Sequence, residues 1–186
     1  MMVLLSGFLP NPKLETSVLS ISTRVSNELG AGRPRAARLA IYVSLMMVTT
    51  EGLLAGVLMI FCRRAWAYLY STEEEIVNYV GDILVLIATS HLIDGIQSVL
   101  SGIARGCGWQ KIGAVINLGA YYLLGIPVAV FLAFVCHFGG KGLWTGIIVA
   151  LFAQALLLAI LTGCTDWEKE AKKATDRVHS AAGSLS

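Results

Sequence analysis

The hydrophobic residues of this chain are gathered into long blocks and do not alternate with polar positions. Four blocks reach the length of about 20 residues that an α-helix needs to cross roughly 30 Å of hydrocarbon. They cover residues 39–62, 76–104, 112–135 and 142–162. The short loops between them are rich in glycine, charge and aromatic residues, which are typical of the ends of membrane spans. The pattern predicts an all-α integral membrane protein with four transmembrane helices.

Composition agrees with lipid as the solvent. Of the 186 residues, 56 % are hydrophobic and only 14 % are charged, and the mean hydropathy is +0.72. The net charge of +2 gives no indication of a nucleic-acid partner. The four cysteines lie far apart, without a C-x-x-C pair or a Cys/His cluster at metal-ligand spacing. We therefore expect unpaired cysteines, no metal and no cofactor.

The distribution of Lys and Arg predicts the orientation. Three basic residues of the spans and loops, Arg63, Arg64 and Lys141, fall on one side of the membrane. The opposite side holds Arg24, Arg33, Arg35, Arg38, Arg105, Lys111, Lys169, Lys172, Lys173 and Arg177. Because cytoplasmic loops carry the excess of Lys and Arg, the C-terminus is predicted to be cytoplasmic. The mixed charges of residues 165–186 predict a solvated helix that frays into coil, with a docking segment as the alternative.

Ionisable side chains in the middle of a span are the first candidates for function. Such a group costs a few kcal/mol even on lenient insertion scales, so it indicates function by default. Asp94 lies in the second block, with His91 one turn before it. Polar residues at helical offsets extend this stripe: Ser90, Gln97, Ser98 and Ser101. The stripe predicts a proton- or substrate-binding face, and the alternative is a hydrogen-bond cluster that holds the bundle together.

Glu51 is the second deep acid, in the middle of the first block on a less polar face. Proton or substrate binding and a buried structural role both remain open for it. Acids that gain and lose a proton inside a membrane suit proton-coupled transport. Asp82 lies nearer the outer end of its span, where solvation is easier.

The third and fourth blocks hold fewer polar groups. Asn117, Tyr121 and Gln154 are candidates to hydrogen-bond substrate, although packing between helices is the commoner use of such groups. The aromatic ring of Tyr121 is also compatible with a cationic ligand. Pro127 removes a backbone donor and predicts a kink in the third span.

The segment from Ser22 to Gly32, S-T-R-V-S-N-E-L-G-A-G, resembles the signature at the cytoplasmic end of the eighth helix in plant-type multidrug and toxic compound extrusion (MATE) transporters, also called the DETOXIFICATION family. The resemblance continues through residues 50–52, 101–110, 117–122, 140–144 and 166–169. Matches in this order and at these spacings include the loops, which chance similarity among apolar helices would not reproduce. The four spans resemble helices nine to twelve of that family.

This resemblance implies a secondary transporter, not an enzyme, with two lobes of six helices that rock around a midplane cavity. The family exports organic solutes, often cations or plant secondary metabolites, in exchange for protons or sodium. An acidic residue of its tenth helix couples ion to substrate, and by motif position that residue is Asp94 here. The implied partners are the lipid bilayer, a small organic solute and protons, in a plasma or vacuolar membrane.

The same resemblance divides the chain into four parts. Residues 1–22 are interpreted as a remnant of helices seven and eight, with about a helix-length deleted between Ile21 and Ser22. Residues 23–38 form the cytoplasmic signature segment, 39–164 the four-helix bundle, and 165–186 the cytoplasmic tail. Without the other lobe, the chain is not expected to transport by itself. The alternative function is a membrane scaffold or a dominant-negative partner of a full-length homologue.

Overall fold

The computed structural model describes residues 12–183, so the predicted seventh-helix remnant, residues 1–10, lies outside the described residues. Six helical elements follow one another in this range. They are α1 (Pro12–Gly30), α2 (Pro34–Tyr70), α3 (Glu74–Gly106), α4 (Gln110–Val135), α5 (Gly140–Gly163) and α6 (Trp167–Gly183). Helices α2 to α5 are long and apolar enough to cross a membrane. The predicted all-α fold with four spans is confirmed, and each span is as long as the apolar block that predicted it or longer.

Two glycines end helices in the left-handed region of backbone space. Gly32 has a φ of +69° after α1, and Gly108 has a φ of +82° after α3. In each case the next residue donates its backbone N–H five residues back: Arg33 to Glu28 at 2.9 Å and Trp109 to Ala104 at 2.8 Å. This is the Schellman arrangement, in which glycine avoids the steric penalty of a Cβ and the last helical carbonyls are satisfied.

Helix α4 is the least regular span. A π-helical segment covers Ala120–Gly125, a short α-helical segment covers Ile126–Val130, and a second π-helical segment covers Phe131–Val135. The wide turns flank Pro127, which has no N–H to donate to the preceding turn. The backbone N–H of Ile126 bonds instead to the carbonyl of Tyr121, five residues back. The irregularity predicted at Pro127 is thus a pair of widened turns.

Tertiary contacts divide the chain into two compact units. Of the described residues, the first unit contains 12–46, 98–114 and 157–183. In its described part α6 packs against α1, and Val25, Leu29, Cys107, Trp167 and Ala171 are buried. The rings of Trp109 and Trp167 lie 6.4 Å apart, tilted by 46°.

The expectation of a solvated tail does not hold for the first turns of α6. Trp167, Glu170 and Ala171 are all buried there, while Lys169 and Lys172 on the same helix are exposed. Spacings of three and four residues put the buried side chains on one face, so a helix rich in charge still has a stripe that can pack. Asp166 begins the helix by accepting backbone N–H groups of Glu168 and Lys169, at 3.2 and 3.3 Å.

The second unit contains residues 47–97 and 115–156. Its tightest packing joins α4 to α5 through small residues spaced four apart. Gly142, Gly146 and Ala150 of α5 lie against Ala133, Ala129 and Gly125 of α4. We call these six residues the small-residue seam. Small residues let two helix backbones approach closely in lipid, where dispersion contacts hold helices together.

Candidate functional site

The deep acids and their neighbours come together in the second unit, on three different spans. The Nε2 atom of His91 on α3 lies 3.4 Å from Oε1 of Glu51 on α2. Asp94, on α3, is partly buried and within electrostatic range of His91. Tyr121 on α4 is in turn within electrostatic range of Asp94. The structure therefore forms a line of four titratable side chains, Glu51, His91, Asp94 and Tyr121, which we call the titratable line.

Close helix packing holds this line in place. A Cβ atom added to Gly52 would lie 2.8 Å from Cδ1 and 3.2 Å from Cα of Leu92. A Cβ atom added to Gly95 would lie 2.8 Å from Cγ2 of Val48. Both glycines sit close in sequence to the Glu51–His91 pair, so α2 and α3 approach closely where the pair forms.

The remaining predicted site residues are arranged less tightly. Gln97 and Ser98 follow Asp94 on α3 and are partly exposed, whereas Asn117 on α4 is exposed. Gln154 on α5 is only 2 % exposed, and no fully buried polar side-chain atom among the described residues lacks a hydrogen-bond partner. The burial of Gln154 favours the packing interpretation for that residue.

Sequence reasoning missed a second charged cluster in the same unit. Nζ of Lys141, in the first turn of α5, lies 2.6 Å from Oδ2 of Asp82 on α3. The same Nζ atom lies 5.3 Å from the centre of the Tyr79 ring. Tyr79 and Asp82 are three residues apart on one helix, which was the available signal. The partner, Lys141, is 59 residues away in sequence, so the ion pair was not evident from spacing.

One thiol in the first unit has an unusual environment. Cys107 is 2 % exposed, and this burial raises the pKa of its thiol to about 12, with the charge of Glu170 adding to the effect and that of Arg177 opposing it. All four cysteines are free thiols. Among the described side chains, no group of three His, Cys, Asp or Glu residues is placed to hold a metal ion.

A bundle of four apolar spans with a line of titratable residues across three of them defines a multi-pass membrane protein with polar groups at membrane depth. The MatE family model matches residues 16–131. The chain is 49 % identical over 201 positions to DETOXIFICATION 16 of Arabidopsis thaliana, covering 98 % of this chain and 41 % of that protein. It is 47 % identical to DETOXIFICATION 15 of the same plant, covering 98 % of this chain and 40 % of that protein.

Structural comparison agrees. The crystal structure of the eukaryotic MATE transporter AtDTX14 superposes with a TM-score of 0.77 at 45 % identity, over 95 % of this chain and 44 % of that one. This chain belongs to the MATE family of membrane transporters, and the resemblance seen in its motifs is confirmed. It spans about two fifths of the length of the curated relatives that it matches.

Proposed function

We propose that this chain is part of the C-terminal lobe of a secondary active antiporter that exports organic solutes in exchange for protons, with Asp94 as the coupling carboxyl. The observation that carries the proposal is the position of Asp94: partly buried, mid-span, and within electrostatic range of His91 and Tyr121 on two spans. Since the chain spans only about two fifths of its relatives, transport would be an activity of the whole transporter.

The chemistry of this site supports exchange. A carboxylate beside an aromatic ring attracts an organic cation, through its charge and through the face of Tyr121. A proton on Asp94 removes that negative charge and releases the cation. Proton and cationic solute would therefore compete for one group, which is the requirement for antiport through alternating access.

The test uses a hybrid transporter, in which this chain replaces the matched region of DETOXIFICATION 16 and the relative keeps its own residues where this chain has none. Ethidium serves as the organic-cation probe in proteoliposomes with an imposed pH gradient. We expect Asp94→Asn to abolish proton-driven ethidium movement. The matched control is Asp82→Asn, which removes another acid of α3 that pairs with Lys141 instead. Proton-driven movement that survives Asp94→Asn would refute the proposal.

The orientation and membrane are parts of the same proposal. The excess of Lys and Arg on one side supports a cytoplasmic C-terminus, and we propose a plasma or vacuolar membrane. Accessibility of Cys164, an exposed thiol at the start of the tail, to an impermeant maleimide distinguishes the two orientations. Labelling from outside intact cells would contradict a cytoplasmic C-terminus.

The internal deletion also has support. The match to DETOXIFICATION 16 extends over 201 positions, which exceeds the 186 residues of this chain, so the relative has residues without a counterpart here. We propose that they belong between Ile21 and Ser22, where α1 now runs without a break from Pro12 to Gly30. Sequencing the transcript across this junction tests the position.

A second candidate function is a dominant-negative partner of a full-length homologue. It is favoured by the apolar surface that α2 leaves uncovered in the second unit, formed by Leu54, Leu58 and Phe61. Co-expression with intact DETOXIFICATION 16 tests it. Co-purification and reduced ethidium efflux are expected, and unchanged efflux without co-purification would exclude this function.

A further inference from the structure

The Glu51–His91 pair is not used by the proposed role of Asp94. Its side chains remain 62 % and 45 % exposed within the chain, for Glu51 and His91 respectively. Both lie in the middle of spans, in α2 and α3. Ionisable groups at this depth face a protein interior or a water-filled cavity because exposure to lipid is costly. The pair is therefore expected to face water or protein in the whole transporter and not lipid.

Its geometry suits the sharing of one proton. At 3.4 Å, a proton on Nε2 of His91 can be donated toward Oε1 of Glu51, giving an imidazolium beside a carboxylate with no net charge. Loss of that proton to water leaves a neutral imidazole beside the carboxylate, with a net charge of one negative unit. The pair can therefore hold or release one proton without another reactant.

The packing around the pair indicates that it is built into the helix interface. Gly52 and Gly95 allow the close approach of α2 and α3 on either side of it, against Leu92 and Val48. Two exposed side chains on unrelated surfaces would not need this approach. The titratable groups beside the pair are Asp94 on the same helix as His91 and, beyond it, Tyr121 on α4.

We propose that Glu51 and His91 together carry a second exchangeable proton, so that two protons move per solute. This inference rests on the proposed function of Asp94 as the carrier of the first. The number of protons is measurable without knowledge of the natural substrate, since each proton exchanged across one pH unit balances a tenfold solute gradient when the membrane potential is held at zero.

The experiment measures, in the hybrid transporter, the ethidium gradient at which net flux reverses under a difference of one pH unit. Net flux in the unmodified hybrid is expected to reverse at an ethidium gradient of about 100-fold, and in Glu51→Gln or His91→Gln at about 10-fold. The double variant should match either single variant because the pair acts as one unit. Thr89→Ala is the control and should keep the two-proton value, because the Thr89 hydroxyl donates to the carbonyl of Val85 on the same helix at 2.9 Å.

A swapped variant, Glu51→His with His91→Glu, distinguishes pair chemistry from a merely structural role. It should restore the reversal gradient to about 100-fold. Its folding is checked by size-exclusion chromatography. Three results would overturn the inference: an unmodified hybrid that reverses at about 10-fold, single variants that both keep the gradient of the unmodified hybrid, or a folded swapped variant that does not recover that gradient. If the ethidium reversal gradient is unchanged in Glu51→Gln but lost in Asp94→Asn, only the role of the Glu51–His91 pair is refuted. If the gradient is unchanged in Asp94→Asn, the function proposed for Asp94 is refuted.

Discussion

The small-residue seam between α4 and α5 allows a sharp test of how this bundle is held together. Gly146 lies at its centre. A Cβ atom added there would approach Cα of Ala129 to 2.5 Å and its backbone N to 2.7 Å. Neither is the movable end of a side chain, so Gly146→Ala can be accommodated only if the two helices separate.

The size of the effect follows from that geometry. Ordinary contact begins near 3.4 Å, which requires a separation of about 1 Å, and a gap of this size forfeits a quarter to a half of each dispersion contact along the seam. The contacts of Gly142 with Ala133 and of Gly125 with Ala150 weaken together, because the same helices carry them. Overpacking of a tight interface costs about 1–3 kcal/mol, and the gain of about 1 kcal/mol in helix propensity that alanine brings offsets part of this cost.

The assay is the free energy of unfolding of the chain, measured by SDS titration from mixed micelles. Gly81→Ala is the matched control: Gly81 lies inside α3, and a Cβ atom added there meets nothing within 4 Å. We expect Gly146→Ala to be less stable than Gly81→Ala by about 1–3 kcal/mol, the cost of the clash, because both variants gain the same helix propensity. Equal stability of the two variants would refute the reasoning, since both gain the same propensity and differ only in the clash.

Three further predictions concern the charged and thiol groups outside the titratable line. Lys141→Met and Asp82→Met should each lower the midpoint of SDS unfolding, and the decrease should become smaller with added salt because the ion pair is partly exposed. A decrease that does not depend on salt would contradict loss of the ion pair as its cause. At pH 8, maleimide should modify Cys107 far more slowly than the exposed Cys164, and the rate at Cys107 should rise about tenfold per pH unit as its thiolate fraction grows. Comparable rates at the two thiols, measured by mass spectrometry, would contradict the burial of Cys107. The Lys169 side chain, and to a lesser extent backbone N–H groups, lower the pKa of Asp166. This cap therefore stabilises α6 fully above the ordinary carboxyl pKa, and the stabilisation is lost as the pH falls through the lowered pKa. Hydrogen exchange of α6 should show this pH dependence in wild type but not in Asp166→Asn.

The four spans could be predicted because length and hydropathy alone decide whether a helix crosses a bilayer. Contacts between spans could not. Glu51 and His91 are 40 residues apart, and their meeting depends on how α2 and α3 rotate about their axes. Sequence reasoning named Glu51 by its depth and His91 by its position one turn before Asp94, but it gave no reason to pair them.

The packing of helix α6 was missed for a different reason. Its many charges indicated a solvated helix. The buried face consists of few residues, Trp167, Glu170 and Ala171, and its partner surface on α1 is visible only once the chain is folded. A count of charges cannot detect so narrow a stripe, whereas the three- and four-residue spacing could have suggested it.

Helix α4 connects the packed and the titratable parts of the second unit. Tyr121 is within electrostatic range of Asp94, and Gly125, in the same π-helical segment, is buried against Ala150 in the seam. A wide turn between them can absorb a change of register that a regular α-helix would transmit along its axis. The loss of stability expected for Gly146→Ala therefore belongs to the seam of α4 and α5. It need not change the number of protons that we propose Asp94 and the Glu51–His91 pair exchange.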